Sequence, residues 1–299
     1  MSNWLTNISG AELMPDRGVD RRRAEVESCA QPTPECRMRA DMESRRGGAL
    51  IVNADDWGRD DDTTERIAEC VRHGSVSSVS AMVFMEDSEQ SAALARERGI
   101  DAGLHLNLTT PFSASAVPTQ LAEHQRRLAR YLRSHRLAPA LFHPGLRSSF
   151  AYVVRSQLEE FRRLYGASPE RIDGHHHMHL SANVLIGRLL PEGTMVRRNF
   201  TFRPGEKSWV NRAYRSLIDH VIESRHQVTD FFFCLPPLEP QDRLQRIFSL
   251  AQQFVVELET HPVNPDEYRF LHGAFLGLAQ EVRIAPRYLT SRRASHAAN

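Results

Sequence analysis

Cysteine is scarce. The four present are Cys29, Cys36, Cys70 and Cys234. None forms a CxxC pair, and Cys29 and Cys36 have no neighbouring histidine, which argues against both a disulfide framework and a cysteine zinc site. A reduced, cytoplasmic setting is the default expectation. No apolar run approaches the ~18 residues of a transmembrane helix. The N-terminus lacks the basic-then-apolar-then-small layout of a signal peptide. Neither sign of charge dominates: 38 Lys+Arg face 37 Asp+Glu, a net charge of +1. Such a balance gives no reason to expect a nucleic-acid partner. The phosphate-cradling patterns GxGxxG and GxxxxGKS/T are also missing. What remains is a chain of 299 residues, 41% of them hydrophobic, enough for one large α/β domain or two small ones.

The first 48 residues are rich in arginine, interspersed with acids and prolines, and lack a sustained apolar period. They are expected to be a disordered extension. From Ala49 short apolar runs alternate with helix-period segments. Strands are expected at 49–56, 76–84, 100–108, through the segment around Asp173, at 195–197, 228–235 and 254–259. Helices are expected at 61–73, 87–98, 151–165, 181–190, 206–224, 241–253 and 266–281. Residues 111–148 interrupt this rhythm with four prolines around one helix near 119–136, the form of a lid insertion. That helix carries Arg126, Arg127, Arg130, Arg133 and Arg136, either a solvated face or an anion-binding one. The domain is expected to span 49–287, with 288–299 frayed. Seven strand–helix steps fit a TIM-barrel-like (β/α) barrel, closed or nearly closed and with fewer than eight strands; an open doubly wound sheet is the alternative.

Four histidines fall within five positions, at His175, His176, His177 and His179. If the strand continues through them, Asp173, His175, His177 and His179 share one face, with Ile172, His176 and Met178 on the other. A face of one carboxylate and three imidazoles is costly to bury unless a metal or a reaction uses it. Polar clusters in such folds gather at the C-terminal ends of strands. Asp55-Asp56, His105, the Asp173–His179 run and His261 all sit at such ends. Two imidazoles, a carboxylate and water make a catalytic metal site with an open position. Taken singly, each has a bland reading: Asp55-Asp56 as a helix cap (unless Thr63-Thr64 do the capping), His105 as a satisfied core histidine, His261-Pro262 as a turn.

Asn53-Ala54-Asp55-Asp56-Trp57-Gly58, Gly103-Leu104-His105-Leu106-Asn107-Leu108-Thr109, Asp173-Gly174-His175-His176-His177-Met178-His179 and His261-Pro262 together resemble the YdjC-like carbohydrate deacetylases, over about residues 49–285. The resemblance implies a (β/α) barrel, one divalent metal ion (zinc or magnesium) and hydrolysis of an acetamide on a sugar or glycolipid. By position it implies that Asp56, His105 and His175 hold the metal, that Asp55 is the general base, and that His261 is the acid that protonates the leaving amine. His177 and His179 become supporting or substrate-facing groups. Asp173 becomes an orienting partner for His175 or a neighbouring histidine. Arg197 either contacts substrate or pairs with Asp55. Gly174, Trp57 and Thr260 stand where the family commonly has Ser, Phe and Cys, which leaves the ligands intact and changes the pocket around them. Dimers are common for such enzymes, so a homodimer is a further expectation. Another single-metal amidase on a barrel, and a non-catalytic metal-binding protein, are the rival readings.

Overall fold

The computed structural model of the chain describes residues 47–203 and 205–290. The expected extension, up to residue 46, and the tail from 291 lie outside the described residues. Seven strands form one parallel sheet: β1 (Ala49–Trp57), β2 (Ser78–Ala81), β3 (Ala102–Leu106), β4 (Arg171–Gly174), β5 (Met195–Val196), β6 (Phe231–Cys234) and β7 (Val255–Thr260). The sheet order is β5-β4-β3-β2-β1-β7-β6. That is chain order written around a circle, without the reversal of a doubly wound sheet. The sheet is therefore a (β/α) barrel with its seam between β5 and β6. Across the seam runs an isolated bridge from Met195 to Gln227, together with N–H donation from Val196 to the Gln227 carbonyl and from Thr201 to the Phe232 carbonyl.

Around the sheet lie α1 (Asp61–His73), α2 (Ser88–Arg98), α3 (Thr119–Leu132), α4 (Arg147–Tyr165), α5 (Ala182–Ile186), α6 (Trp209–Glu223), α7 (Asp242–Ala251), α8 (Pro265–His272) and α9 (Phe275–Leu278). Among the described residues no helix is long and apolar enough to cross a membrane. The N-terminus of α1 is capped by Asp60, whose side chain accepts from the Thr63 N–H, and Gly74 ends the helix in the left-handed region. Capping thus falls to neither Asp55 nor Asp56, and both carboxylates are left for other work. In the 111–148 insertion, Leu121, Gln125, Leu128 and Leu132 are the buried face of α3. Gln125 ties that helix to the Thr110 carbonyl and the Phe112 N–H. The five arginines are exposed, the solvated-face arrangement.

All nine residues of β1 are buried, as a strand covered on both faces requires. Its apolar positions Leu50, Val52 and Ala54 join the core beneath the helices, with Leu104, Ile172, Val256 and Leu258. The alternate positions fill the barrel with polar groups. Parallel register puts His105 beside Asp173, and pairs Ile51 with Glu257 and Asn53 with Glu259. Low in the barrel the Arg171 guanidinium donates to Asn53 and to the Val79 carbonyl and lies over the Tyr288 ring, 4.4 Å from its centroid. Gly103 is needed there, because a Cβ would come within 2.7 Å of the Arg171 Nε. Tyr288 is buried and its hydroxyl donates to Glu257. The packed chain therefore continues past 287.

Candidate functional site

At the end of β1 the pairing with β2 shifts register between Ala54 and Trp57, and Asp56 takes a left-handed φ of 69°. A regular strand sends consecutive side chains to opposite faces, whereas a bulge re-aims one of them. Asp55 and Asp56 consequently both reach one imidazole: His105 Nε2 lies 3.9 Å from Asp55 Oδ2 and 3.4 Å from Asp56 Oδ1. The His105 Nδ1–H donates to Asp173 Oδ1 at 2.7 Å. This fixes the ring and turns Nε2 toward Asp56. Asp173 thus orients His105 rather than His175.

The His-rich run is a turn, not a strand. β4 stops at Gly174, and 3-10 turns cover His175–Leu180 with left-handed φ values at His176 (55°) and His177 (57°). The strand-like sharing of faces fails, and each histidine has its own surroundings. His175 alone reaches the carboxylate, its Nδ1 2.9 Å from Asp56 Oδ1. The His176 ring packs on His175 with centroids 4.0 Å apart, and its Nδ1 is 3.0 Å from the Thr109 hydroxyl. His177 is partly exposed, edge-on to Phe200 at 4.6 Å. His179 is fully buried, and its Nε2–H donates to the Arg197 carbonyl. Of the two roles expected for it, this burial places His179 on the supporting side. Gly174 makes this packing fit, since a Cβ there would sit 2.9 Å from the His179 backbone nitrogen.

Arg197 is likewise fully buried, which removes it from substrate contact and leaves the pairing with Asp55. Its NH1 and NH2 bond Asp55 Oδ2 and Oδ1 at 2.7 and 2.8 Å. It also lies within ion-pair distance of Asp173, Glu257 and Glu259. Burial alone pushes the Asp55 carboxyl upward, but the charges of Arg197 and His105 and the Arg197 hydrogen bonds hold it below the ordinary carboxylate range. Burial likewise disfavours charged His105, yet the charge of Asp55 and its contacts with Asp173 and Asp56 push its pKa up to about 10. His261 follows β7 and is about one-third exposed, with Nε2 4.0 Å from Glu259 Oε1.

Glu257 and Glu259 escaped the sequence reading, although Val-Val-Glu-Leu-Glu-Thr carries its acids at the strand period of two and so points both into the barrel. Burial raises the pKa of each. The guanidinium that compensates them follows β5, a strand of two residues whose brevity hides its inward face.

Three groups among the described residues bring metal-binding atoms within 4.8 Å of one another: Asp56–His105–His175, Asp55–His105–Asp173 and Asp55–Glu259–His261. Hydrogen bonding separates them. Asp55 and Asp173 are already engaged by Arg197, Asn53, Ser80 and His105. Asp56 Oδ1 and His105 Nε2 are both buried without a hydrogen-bond partner. These two buried atoms lie 3.4 Å apart, with His175 Nδ1 2.9 Å from the same Asp56 oxygen, a donor set that fits a divalent cation bound by one carboxylate and two histidines.

This is a parallel (β/α) barrel with a carboxylate–imidazole cluster at the C-terminal ends of its strands. A family model described as YdjC-like protein matches residues 49–290, and the chain belongs to that family. A carbohydrate deacetylase from Brevibacillus brevis is 30% identical over 222 residues, 73% of this chain and 82% of the relative. A chitooligosaccharide deacetylase from Serratia marcescens is 34% identical over 139 residues, 45% of this chain and 52% of the relative. The chain thus spans about half the length of the chitooligosaccharide deacetylases it matches, 50% for one from Enterobacter. Among solved structures, a candidate cellobiose-phosphate cleavage protein from Enterococcus faecalis aligns with a TM-score of 0.55 at 18% identity, covering 80% of this chain and 97% of that one. That likeness concerns the fold.

Proposed function

We propose that the chain hydrolyses the acetamide of an acetylated carbohydrate to acetate and a free amine, using one divalent cation, zinc or magnesium, held by Asp56, His105 and His175. The observation that carries this reading is the pair of unsatisfied buried atoms, Asp56 Oδ1 and His105 Nε2, placed beside an ionised Asp55. The names of the carbohydrate deacetylase relatives support the substrate class. A cation bound there supplies Lewis-acid polarisation of the amide carbonyl and acidifies the attacking water.

The remaining chemistry belongs to side chains. Arg197 grips both oxygens of Asp55, keeping it ionised and fixed in orientation to accept the proton of the attacking water. Asp173 holds His105 by Nδ1. His261, at the mouth, delivers a proton to the departing nitrogen, which an amide requires before its C–N bond breaks. His177, with Phe200 behind it, lines the side from which a sugar approaches.

The test is acetate release from N-acetylglucosamine and chito-oligosaccharides, with protein loaded with zinc or magnesium and with protein stripped by chelator. Release that depends on the added cation is expected. A fully loaded protein silent across a broad panel of acetylated sugars would refute the reading.

A further inference from the structure

Side-chain contacts do little to hold the His261 imidazole: its carboxylate neighbour, Glu259, lies 4.0 Å away, beyond hydrogen-bond reach. Its backbone, however, is fastened. The His261 N–H donates to Glu267 Oε2 at 2.9 Å, and the Thr260 hydroxyl donates to the same oxygen at 2.8 Å. The His261 carbonyl accepts from the Asn264 N–H at 2.8 Å. Asn264 caps α8 and Pro265 opens it, so Glu267 stands at the third helical position. Asn264-Pro265-Asp266-Glu267 has the spacing of a capping box, in which the acid would turn back to the cap residue's own N–H. Here that N–H is spent on His261, and Glu267 reaches further back, to the end of β7.

Glu267 is 3% exposed, and both of its hydrogen bonds come from uncharged donors. A buried carboxylate without a paired cation is costly, and a helix start has cheaper ways to be capped. Burial raises the pKa of this carboxyl, against the lowering effect of the His261 N–H and the Thr260 hydroxyl.

We propose that Glu267 is a positioning residue: with Thr260 it clamps the strand end and turn that carry His261, so that the imidazole meets the leaving nitrogen. This rests on the reading of His261 as the acid. The clamp then matters only when the leaving group needs a proton. An amine must be protonated as it departs, whereas 4-nitrophenolate leaves without one.

The experiment compares wild type, Glu267→Ala, Glu267→Gln and Thr260→Val, each loaded with metal, on an acetylated chito-oligosaccharide and on 4-nitrophenyl acetate. It adds metal content and hydrogen exchange of the His261 amide. In Glu267→Ala, kcat for the amide is expected to fall on the order of a hundredfold, the scale of a misplacement of about 1 Å. KM, metal content and ester hydrolysis stay near wild type, and the His261 amide exchanges faster. Glu267→Gln keeps an acceptor oxygen and retains most amide turnover. Thr260→Val, which removes a single donor, shows a smaller loss of the same kind and carries the test if Glu267→Ala does not fold. Equal losses on amide and ester, or no loss on the amide, would overturn the proposal. A wild type that cleaves no acetamide would overturn the proposed function instead. The His261 amide would then still report on the clamp, and exchange as slow in Glu267→Ala as in wild type would remove it.

Discussion

His105 donates its Nδ1–H to Asp173 across 2.7 Å, and this one contact decides that Nε2 faces Asp56. A carboxylate behind a ligating imidazole fixes its tautomer and raises its basicity. Asp173→Asn keeps the shape and removes the charge. It is expected to weaken metal binding by about 10–100-fold, read by metal titration of the stripped protein. Unchanged affinity would mean that Asp173 serves the barrel and not the site.

Metal binding should be linked to protons. With its pKa pushed up to about 10, His105 carries a proton at pH 7 that a cation must displace. Between pH 6 and 8 affinity should rise about tenfold per pH unit, with about one proton released. Calorimetry in buffers of different ionisation enthalpy counts that proton, and a count of zero would show that His105 is already neutral before the metal binds.

Removing Arg197 should be severe. Arg197→Met strands four buried carboxylates, Asp55, Asp173, Glu257 and Glu259, beside a vanished cation. A loss of about 3–5 kcal/mol at neutral pH is expected from urea unfolding. In the wild type, Asp55 and Asp173 are held below their ordinary range. Their contribution is therefore present above the unfolded pKa of about 3.9 and fades as pH falls below it. The deficit of the variant should shrink toward pH 4, where stranded carboxyls take up protons. A deficit that does not change with pH would assign the loss to packing alone.

His179 makes the opposite contribution. Burial lowers its pKa to about 4, against the opposing hydrogen bond to the Arg197 carbonyl. The unfolded chain takes up this proton as pH falls through about 6.5 and the folded chain does not. Stability from this residue is complete above about 6.5, declines toward about 4, and changes no further below that. His179→Gln should flatten the pH dependence of the urea midpoint across that window. An unchanged slope would show that His179 takes up its proton at the same pH in the folded and the unfolded chain.

Much of the candidate site was legible because strand ends in a parallel barrel are where polar residues gather. Asp55, Asp56, His105 and His261 were recognisable from apolar runs that stop at acids or imidazoles, and the seven strand–helix steps from their alternation. The His-rich run misled because a period of two assumes an extended backbone. Left-handed φ values at His176 and His177 are a tertiary choice made at residues other than glycine, which local sequence does not announce. Arg197 was ambiguous for a different reason: an arginine at a strand end reads the same whether it meets substrate or four carboxylates, and only the convergence of β1, β4, β5 and β7 decides. Glu267 was invisible, since an acid in the first turn of a helix ordinarily serves that helix.

The division of labour between adjacent aspartates is the central claim, and metal content set beside acetate release tests it most directly. Asp55→Asn should retain bound metal close to wild type while turnover falls by at least about a hundredfold, the scale of general base loss. His175→Ala should lose metal and turnover together. Acetate release undiminished in Asp55→Asn, or metal lost from it as fully as from His175→Ala, would contradict the assignment of base and ligand.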